Sequence, residues 1–243
     1  MRQKVRRTLL FVSFLLFPVT MWYFSPYLII EALSQHIING SFIVFVTMLI
    51  ASMFLGRVWC GYFCPSGGLQ ECAQRINDKP AKQGKSDKIK YVIWTVWIIA
   101  VITTFILGKN DVTINPLFQT DHGISISNIY CYVVYYGVML LLVLPALIHG
   151  RRAACHYICW MAPFMVIGSS IGRFLHLPQL HIEADKSKCV TCGKCNRACP
   201  MGLDVKQMVA DGKCSSCTEC IQCGACVDEC PKDVLKYKMM WRK

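Results

Sequence analysis

Two twelve-residue runs carry the densest chemistry in the chain. Residues 189–200 read CVTCGKCNRACP and residues 220–231 read CIQCGACVDECP, so C-x2-C-x2-C-x3-C-P occurs twice. The runs align residue by residue, Cys192-Gly-Lys-Cys195 over Cys223-Gly-Ala-Cys226 and Cys199-Pro200 over Cys230-Pro231. Thiolates at this spacing hold cubane iron–sulfur clusters. Three close cysteines wrap one face of a cluster, and the fourth, ahead of proline, reaches the other cluster. That logic gives one [4Fe–4S] cluster to Cys189, Cys192, Cys195 and Cys230, and a second to Cys220, Cys223, Cys226 and Cys199. Structural zinc would need only sets of four cysteines and gives no reason for both Cys-Pro ends. Cys214 and Cys217 extend the register upstream without those landmarks, and read as free thiols or as an auxiliary metal or partner contact.

A second pair of motifs lies earlier. GRVWCGYFCPSGGLQ (residues 56–70) and RRAACHYICWMAPF (residues 151–164) each place an arginine three residues before C-x3-C, with an aromatic residue between the cysteines. On a helix, residues i and i+4 share a face, so each pair would present two thiols in one direction. Three readings stand for Cys60, Cys64, Cys155 and Cys159: a third iron–sulfur cluster at the membrane edge, thiol–disulfide redox chemistry coupled to quinone, or buried cysteines packed as small hydrophobes. Arginine beside a thiol favours the thiolate and so the metallated form.

The elements that must position these groups are mostly apolar. Of 243 residues, 54% are hydrophobic, and ten of the sixteen cysteines follow residue 188. A disulfide framework is the wrong reading for such dense Cys-x2-Cys spacing without a cleavable signal. A membrane span takes roughly 20 helical residues, and four stretches qualify: Thr8 to Ile30, Ser41 to Gly56, Tyr91 to Gly108 and Tyr130 to His149. Trp160 to Leu177, with its glycines and serines, reads as an interfacial or re-entrant helix. RRTLLFV near the start is loosely like an export signal, but no small-residue cleavage site follows, so a retained first span is expected.

The formal charge of +12 borders the apolar segments, which argues for membrane topology and against nucleic acid. Arg2, Lys4, Arg6 and Arg7, then Arg57, Arg75, Lys79, Lys82, Lys85, Lys88 and Lys90, then Arg151 and Arg152 mark one side. The loops 31–40 and 109–128 hold no basic residue and one (Lys109), respectively. By the positive-inside rule both termini are cytoplasmic. After His181, Lys, Asp, Gly and Cys replace the apolar runs. The stretch 181–243 is too short for a hydrophobic core alone and needs its clusters as staples.

Residues 185–237 resemble the bacterial dicluster ferredoxins through the double repeat. WCGYFCPSGGLQ followed by such a domain resembles the NapH-type membrane polyferredoxins, whose hallmark is a pair of C-x3-C-P motifs at membrane helix ends. The second motif departs from that pattern, with Trp160 after Cys159 and the proline later, at Pro163. The resemblance implies a subunit of a quinol-dehydrogenase or related redox system, with quinol oxidised or quinone reduced.

The expected architecture is a multi-pass α-helical membrane domain (residues 1–180, about four spans in two related halves). A small α+β, βαβ-like dicluster domain (181–243) follows on the cytoplasmic side of a bacterial or archaeal inner membrane. The expected function is one-electron relay between a soluble cytoplasmic partner and a membrane acceptor or donor, within a larger complex. A membrane redox sensor is the contrasting class. Cys72 and Cys131 read as packed thiols, and His156 as a solvated interfacial histidine, a hydrogen-bond donor to a cluster sulfur or an iron ligand. His149 is set aside as a haem ligand, because no Cys-x-x-Cys-His and no partner histidine accompany it. No nucleotide-binding glycine loop, nucleophile motif or intramembrane acid/base pair is found.

Overall fold

Proline decides the first break in the chain. Helix α1 (Arg2–Leu15) turns by 59° into α2 (Phe17–Thr20) and a 3-10 turn ending at Phe24. Pro18 lacks the N–H that would continue α1 and crowds the preceding turn. Ser25 then caps α3 (Pro26–Ser34), its Oγ accepting from the Leu28 amide at 3.4 Å. The stretch expected as one span, Thr8 to Ile30, is therefore three pieces. The computed structural model describes residues 1–81, 84–107 and 112–241. Gly108, where the third expected span ends, lies outside them, as do the charges of Lys82, Lys109 and Lys243.

Asn39 caps α4 (Gly40–Leu55), accepting from the Phe42 amide at 3.0 Å. At 16 residues α4 falls short of the length a membrane crossing takes. Two helices are long and apolar enough by themselves: Ser86–Leu107, which includes α7 (Ile89–Leu107), and α8 (Ile129–His149). The bent α1–α2 pair makes a third if it counts as one span. Both long helices turn large apolar side chains outward, among them Val92, Val96, Ile106, Val133 and Leu140. Water would not tolerate such faces over whole helices, whereas lipid would.

The two cysteine motifs share a scaffold. The first runs from α4 through α5 (Val58–Tyr62) into α6 (Pro65–Ala73), the second from α8 through α9 (Ala153–Tyr157) into α10 (Ala162–Phe174). Each long helix ends on a glycine with positive φ, Gly56 at 58° and Gly150 at 96°, a conformation that side chains resist. A proline sits in the first turn of each return helix. These return helices are exchanged: α10 packs on α4, and α6 packs on α8. The segment expected as interfacial or re-entrant is thus the arm of one half lying against the other. At the far end, β1 (Ile37–Asn39) pairs in parallel with β2 (Thr113–Asn115).

The C-terminal part is built around β3 (Pro178–Ala184) and β4 (Leu235–Trp241), paired antiparallel from Pro178↔Trp241 to Ala184↔Leu235. A βαβ unit would need parallel strands, so that expectation is corrected to an antiparallel α+β arrangement. Between the strands lie α11 (Lys194–Ala198), α12 (Val205–Ala210) and α13 (Ala225–Asp228). Ile182, Leu203, Val205, Val209, Ile221 and Leu235 form its small apolar centre.

Charges join the two parts. Glu219 receives Lys90 at 2.6 Å and Arg57 at 3.0 Å. Arg151 binds Asp78 through two bonds of 2.7 Å and donates to the carbonyls of Arg197 and Cys199 at 2.9 and 3.1 Å. Arg2 pairs with Asp228. Helix ends rich in basic residues therefore all meet the cysteine-rich part on one side of the molecule.

Candidate iron–sulfur centres

The double repeat folds into two separate cavities. Cys189, Cys192, Cys195 and Cys230 line one, beside Lys194, Lys206 and Lys232. Cys199, Cys220, Cys223 and Cys226 line the other, together with Cys214. Each cavity therefore takes three thiols from one repeat and the Cys-Pro thiol of the other. The loop turns repeat as well: Gly193 and Gly224 cap α11 and α13 with φ of 71° and 70°. All sixteen cysteines are free thiols, so no disulfide competes for these positions. Among the described residues, no three His, Cys, Asp or Glu side chains gather closely enough to hold one metal ion. The thiols ring cavities instead of closing on a point.

The four earlier cysteines also converge. Cys60, Cys64 and Cys155 are buried, Cys159 is half-buried, and Cys64 lies within electrostatic reach of the other three. Gln70 crosses between the halves, donating to Cys155 Sγ at 3.1 Å and accepting from the Ala154 amide at 3.0 Å. The pairs do not sit on single helices as the i, i+4 spacing suggested. Cys60 is inside α5, but Cys64 is extended (φ −71°, ψ 120°) as the cap of α6, because Pro65 disfavours the helical conformation in the residue before it. In the second half α10 starts only at Ala162, leaving Cys159 in the connection. That delay is the structural outcome of Trp160 standing where the first motif has proline.

The donor set suits anionic clusters. Arg57 Nε and Nη2, Arg152 Nε and Trp59 Nε1 are buried without hydrogen-bond partners. Unsatisfied donors of this kind are costly, and sulfur acceptors between them would relieve that cost. Burial dominates the thiols themselves, pushing Cys199 up to about 11 and Cys159 up to about 12. Protons on these sulfurs must leave before iron is held. Glu71 shows the opposite balance: burial would raise it, but Arg152 and Arg6 hold it below the usual carboxylate range. Its oxygens receive Arg6 at 2.6 and 3.0 Å and Arg152 at 2.6 Å.

Comparison with known proteins agrees with the geometry. A 4Fe-4S binding domain matches residues 40–83 and again 132–178, and a 4Fe-4S dicluster domain matches 181–231. The chain carries ferredoxin-type iron–sulfur domains. Its domains bind [4Fe–4S] clusters and belong to electron transport. The doubled match falls on the two exchanged halves. An uncharacterized protein of Methanocaldococcus jannaschii is 27% identical, over 99% of this chain and 96% of its own length. The methylamine utilization ferredoxin-type protein MauN of Methylobacillus flagellatus is 26% identical, over 72% of this chain and 60% of MauN. The regulatory protein NosR of Pseudomonas aeruginosa is 24% identical, over 79% of this chain but 27% of NosR. No solved structure matches significantly.

Several residues at these sites carry no motif in the sequence. Gln70 closes the first cysteine motif, and Glu71 and Glu219 stand beside motif residues without matching any pattern. The available signal was that buried arginines need partners, and the acidic residues nearest the motifs supply them. His156, expected to be solvated, is fully buried. Its Nε2 lies 2.9 Å from the Met201 carbonyl, and burial lowers its pKa. Cys72, expected to pack, is exposed, whereas Cys131 is partly buried against the Phe17 and Met21 cluster. His149 stacks edge-on against Tyr157 at 5.6 Å. Cys214 lies in the wall of the second cavity, and Cys217 is half-buried beside Cys220.

Proposed function

We propose that this chain relays single electrons between a soluble cytoplasmic partner and the membrane through three [4Fe–4S] sites. The ligands are Cys189, Cys192, Cys195 and Cys230 for the first, Cys220, Cys223, Cys226 and Cys199 for the second, and Cys60, Cys64, Cys155 and Cys159 for the third. The observation that carries this reading is the crossed lining of the two cavities, three thiols from one repeat with the Cys-Pro thiol of the other. The third site rests on the convergence of two matched cysteine pairs among orphaned donors. When bound, clusters supply reversible one-electron chemistry. The protein's part is to hold them, exclude water and set their surroundings.

In this reading residues 1–180 are a four-span domain of a bacterial or archaeal inner membrane, with α4 and the bent first segment completing the count. Residues 181–243 and both termini are cytoplasmic. Quinol or quinone is the membrane substrate class that the NapH-type resemblance supports, within a complex of other subunits. The name of MauN supports a place in a dedicated oxidation system, and the name of NosR supports a second reading as a redox sensor. A sensor would change a partner's affinity with redox state without sustained electron flux, whereas a relay turns over.

The test is iron and acid-labile sulfide per chain on anaerobically purified protein. About twelve irons support three cubanes, and about eight remove the membrane-edge site. The Cys60→Ala variant should lose about four irons. Unchanged iron would leave those thiols to disulfide chemistry or packing.

A further inference from the structure

The backbones that carry the second ferredoxin site and the membrane-edge thiols approach closely at Gly61. It lies inside α5, directly after Cys60 and three residues before Cys64. Its φ is not among the positive values, so it is not there to make a turn. Space is the reason. A Cβ at this position would stand 2.5 Å from the Ile221 carbonyl oxygen and 3.5 Å from both the amide nitrogen and the Cα of Cys223. The first distance is closer than nonbonded atoms approach. The backbone carrying Cys60 therefore lies in van der Waals contact with the backbone carrying Cys223.

Both sides of this seam are pinned. Arg152 Nη1 donates to the Cys60 carbonyl at 2.7 Å, and Arg6 Nη1 donates to the Gly61 carbonyl at 3.2 Å. Gln3 Nε2 and the Tyr62 hydroxyl donate to the Cys223 carbonyl at 3.0 and 3.4 Å. Glu71 ties Arg6 to Arg152. The other half is not built this way. There the residue after the first cysteine is His156, which meets the Met201 carbonyl and no cluster cysteine. In the second half the link to that site is Arg151, whose Nη1 donates to the Cys199 carbonyl at 3.1 Å, a side-chain contact in place of the backbone contact at Gly61.

We propose that Gly61 is a positioning residue that sets the electron-transfer gap between the membrane-edge site and the second ferredoxin site. The inference rests on the reading of Cys60, Cys64, Cys155 and Cys159 as cluster ligands. The step is an exchange of one electron: one site is oxidised as the other is reduced, and no bond or proton moves. Covalent bonds lead from Cys60 Sγ to Gly61, a single nonbonded contact follows, and covalent bonds lead from the Cys223 backbone to its Sγ. Any side chain at Gly61 widens that contact.

The experiment is low-temperature EPR of the fully reduced full-length protein, read beside iron per chain. In the natural protein, spin–spin interaction with the membrane-edge site should broaden the signal of the second site. Gly61→Ala should keep all the iron and lose that broadening. Gly137→Ala, with nothing within 4 Å of the added methyl, should keep both. Full iron with unchanged broadening in Gly61→Ala overturns the role of Gly61 and leaves the three-site reading standing. Unchanged iron in Cys60→Ala overturns that reading instead. Should Gly61→Ala fail to fold, Cys192→Ala decides. It removes only the outer site, so broadening of the second-site signal must survive it, and loss of that broadening overturns the seam.

Discussion

The two ferredoxin repeats share a motif and differ in what surrounds it. At the first, Cys192 is exposed, its three companions are half-buried, and three lysines rim the cavity. At the second, Cys199, Cys223 and Cys226 are buried, and the backbone of α5 closes one side. Spacing fixes which thiols can share a cluster, whereas surroundings decide what that cluster can reach. The first faces solvent with a positive rim, and the second faces the helical part. One substitution within the motif follows this division: exposed Lys194 of the first repeat corresponds to buried Ala225 of the second.

The largest effect that could break this comparison is on iron. Cys195→Ala and Cys223→Ala should each lose about four irons per chain and keep the remainder. Loss of all iron from either variant would mean that the two sites are not separable units.

Next in size is the docking of the second repeat. Glu219→Gln strands the buried Arg57 and Lys90 and should cost about 3–5 kcal/mol in denaturant unfolding in detergent. Asp228→Asn, which frees the partly exposed Arg2, should cost less than about 1 kcal/mol. Equal losses would show that the buried ion pairs do not carry the join.

Titration gives a third test. Burial raises Cys199 and Cys159 above an ordinary value of 9.0, so the folded apoprotein holds these protons more tightly than the unfolded chain does. Its melting temperature should be steady below about pH 9 and fall as pH rises through about 11 to 12. Protein loaded with iron should lack this decline, since its sulfurs carry no protons to lose. An apoprotein curve that rises with pH would contradict the sign.

The smallest effect concerns the exposed site. Lys194→Glu with Lys232→Glu should slow reduction by an acidic soluble donor several-fold at low salt, and the difference should shrink as salt screens it. A change that persists at high salt would place the donor elsewhere.

Much of this could be read beforehand. The grouping of the cysteines around two cavities follows from the Cys-x2-Cys runs because cluster chemistry leaves few spacings, and the internal duplication was visible in two Arg-flanked cysteine pairs. What could not be read was the second use of the charges. Arg57, Arg151 and Lys90 mark topology in the sequence, and the same residues bind Glu219, Asp78 and the carbonyl of Cys199. A count of basic residues carries no information on partners 48 to 162 positions away. The break in the first expected span was not legible because Pro18 and Pro26 interrupt a stretch whose hydropathy is continuous.

The exchange of return helices has a consequence for how the chain is made. When α4, α5 and α6 have left the ribosome, the surface of α4 that α10 will cover is still bare, and Gln70 has no Cys155 to meet. The first half stays an open clasp until residue 174 is synthesised. A truncated chain or a long stall in this interval would expose an apolar groove shaped for a helix of its own kind. Shutting the clasp also brings Cys60 and Cys64 to Cys155 and Cys159, so assembly order is written into the fold: neither half can gather the four thiols alone.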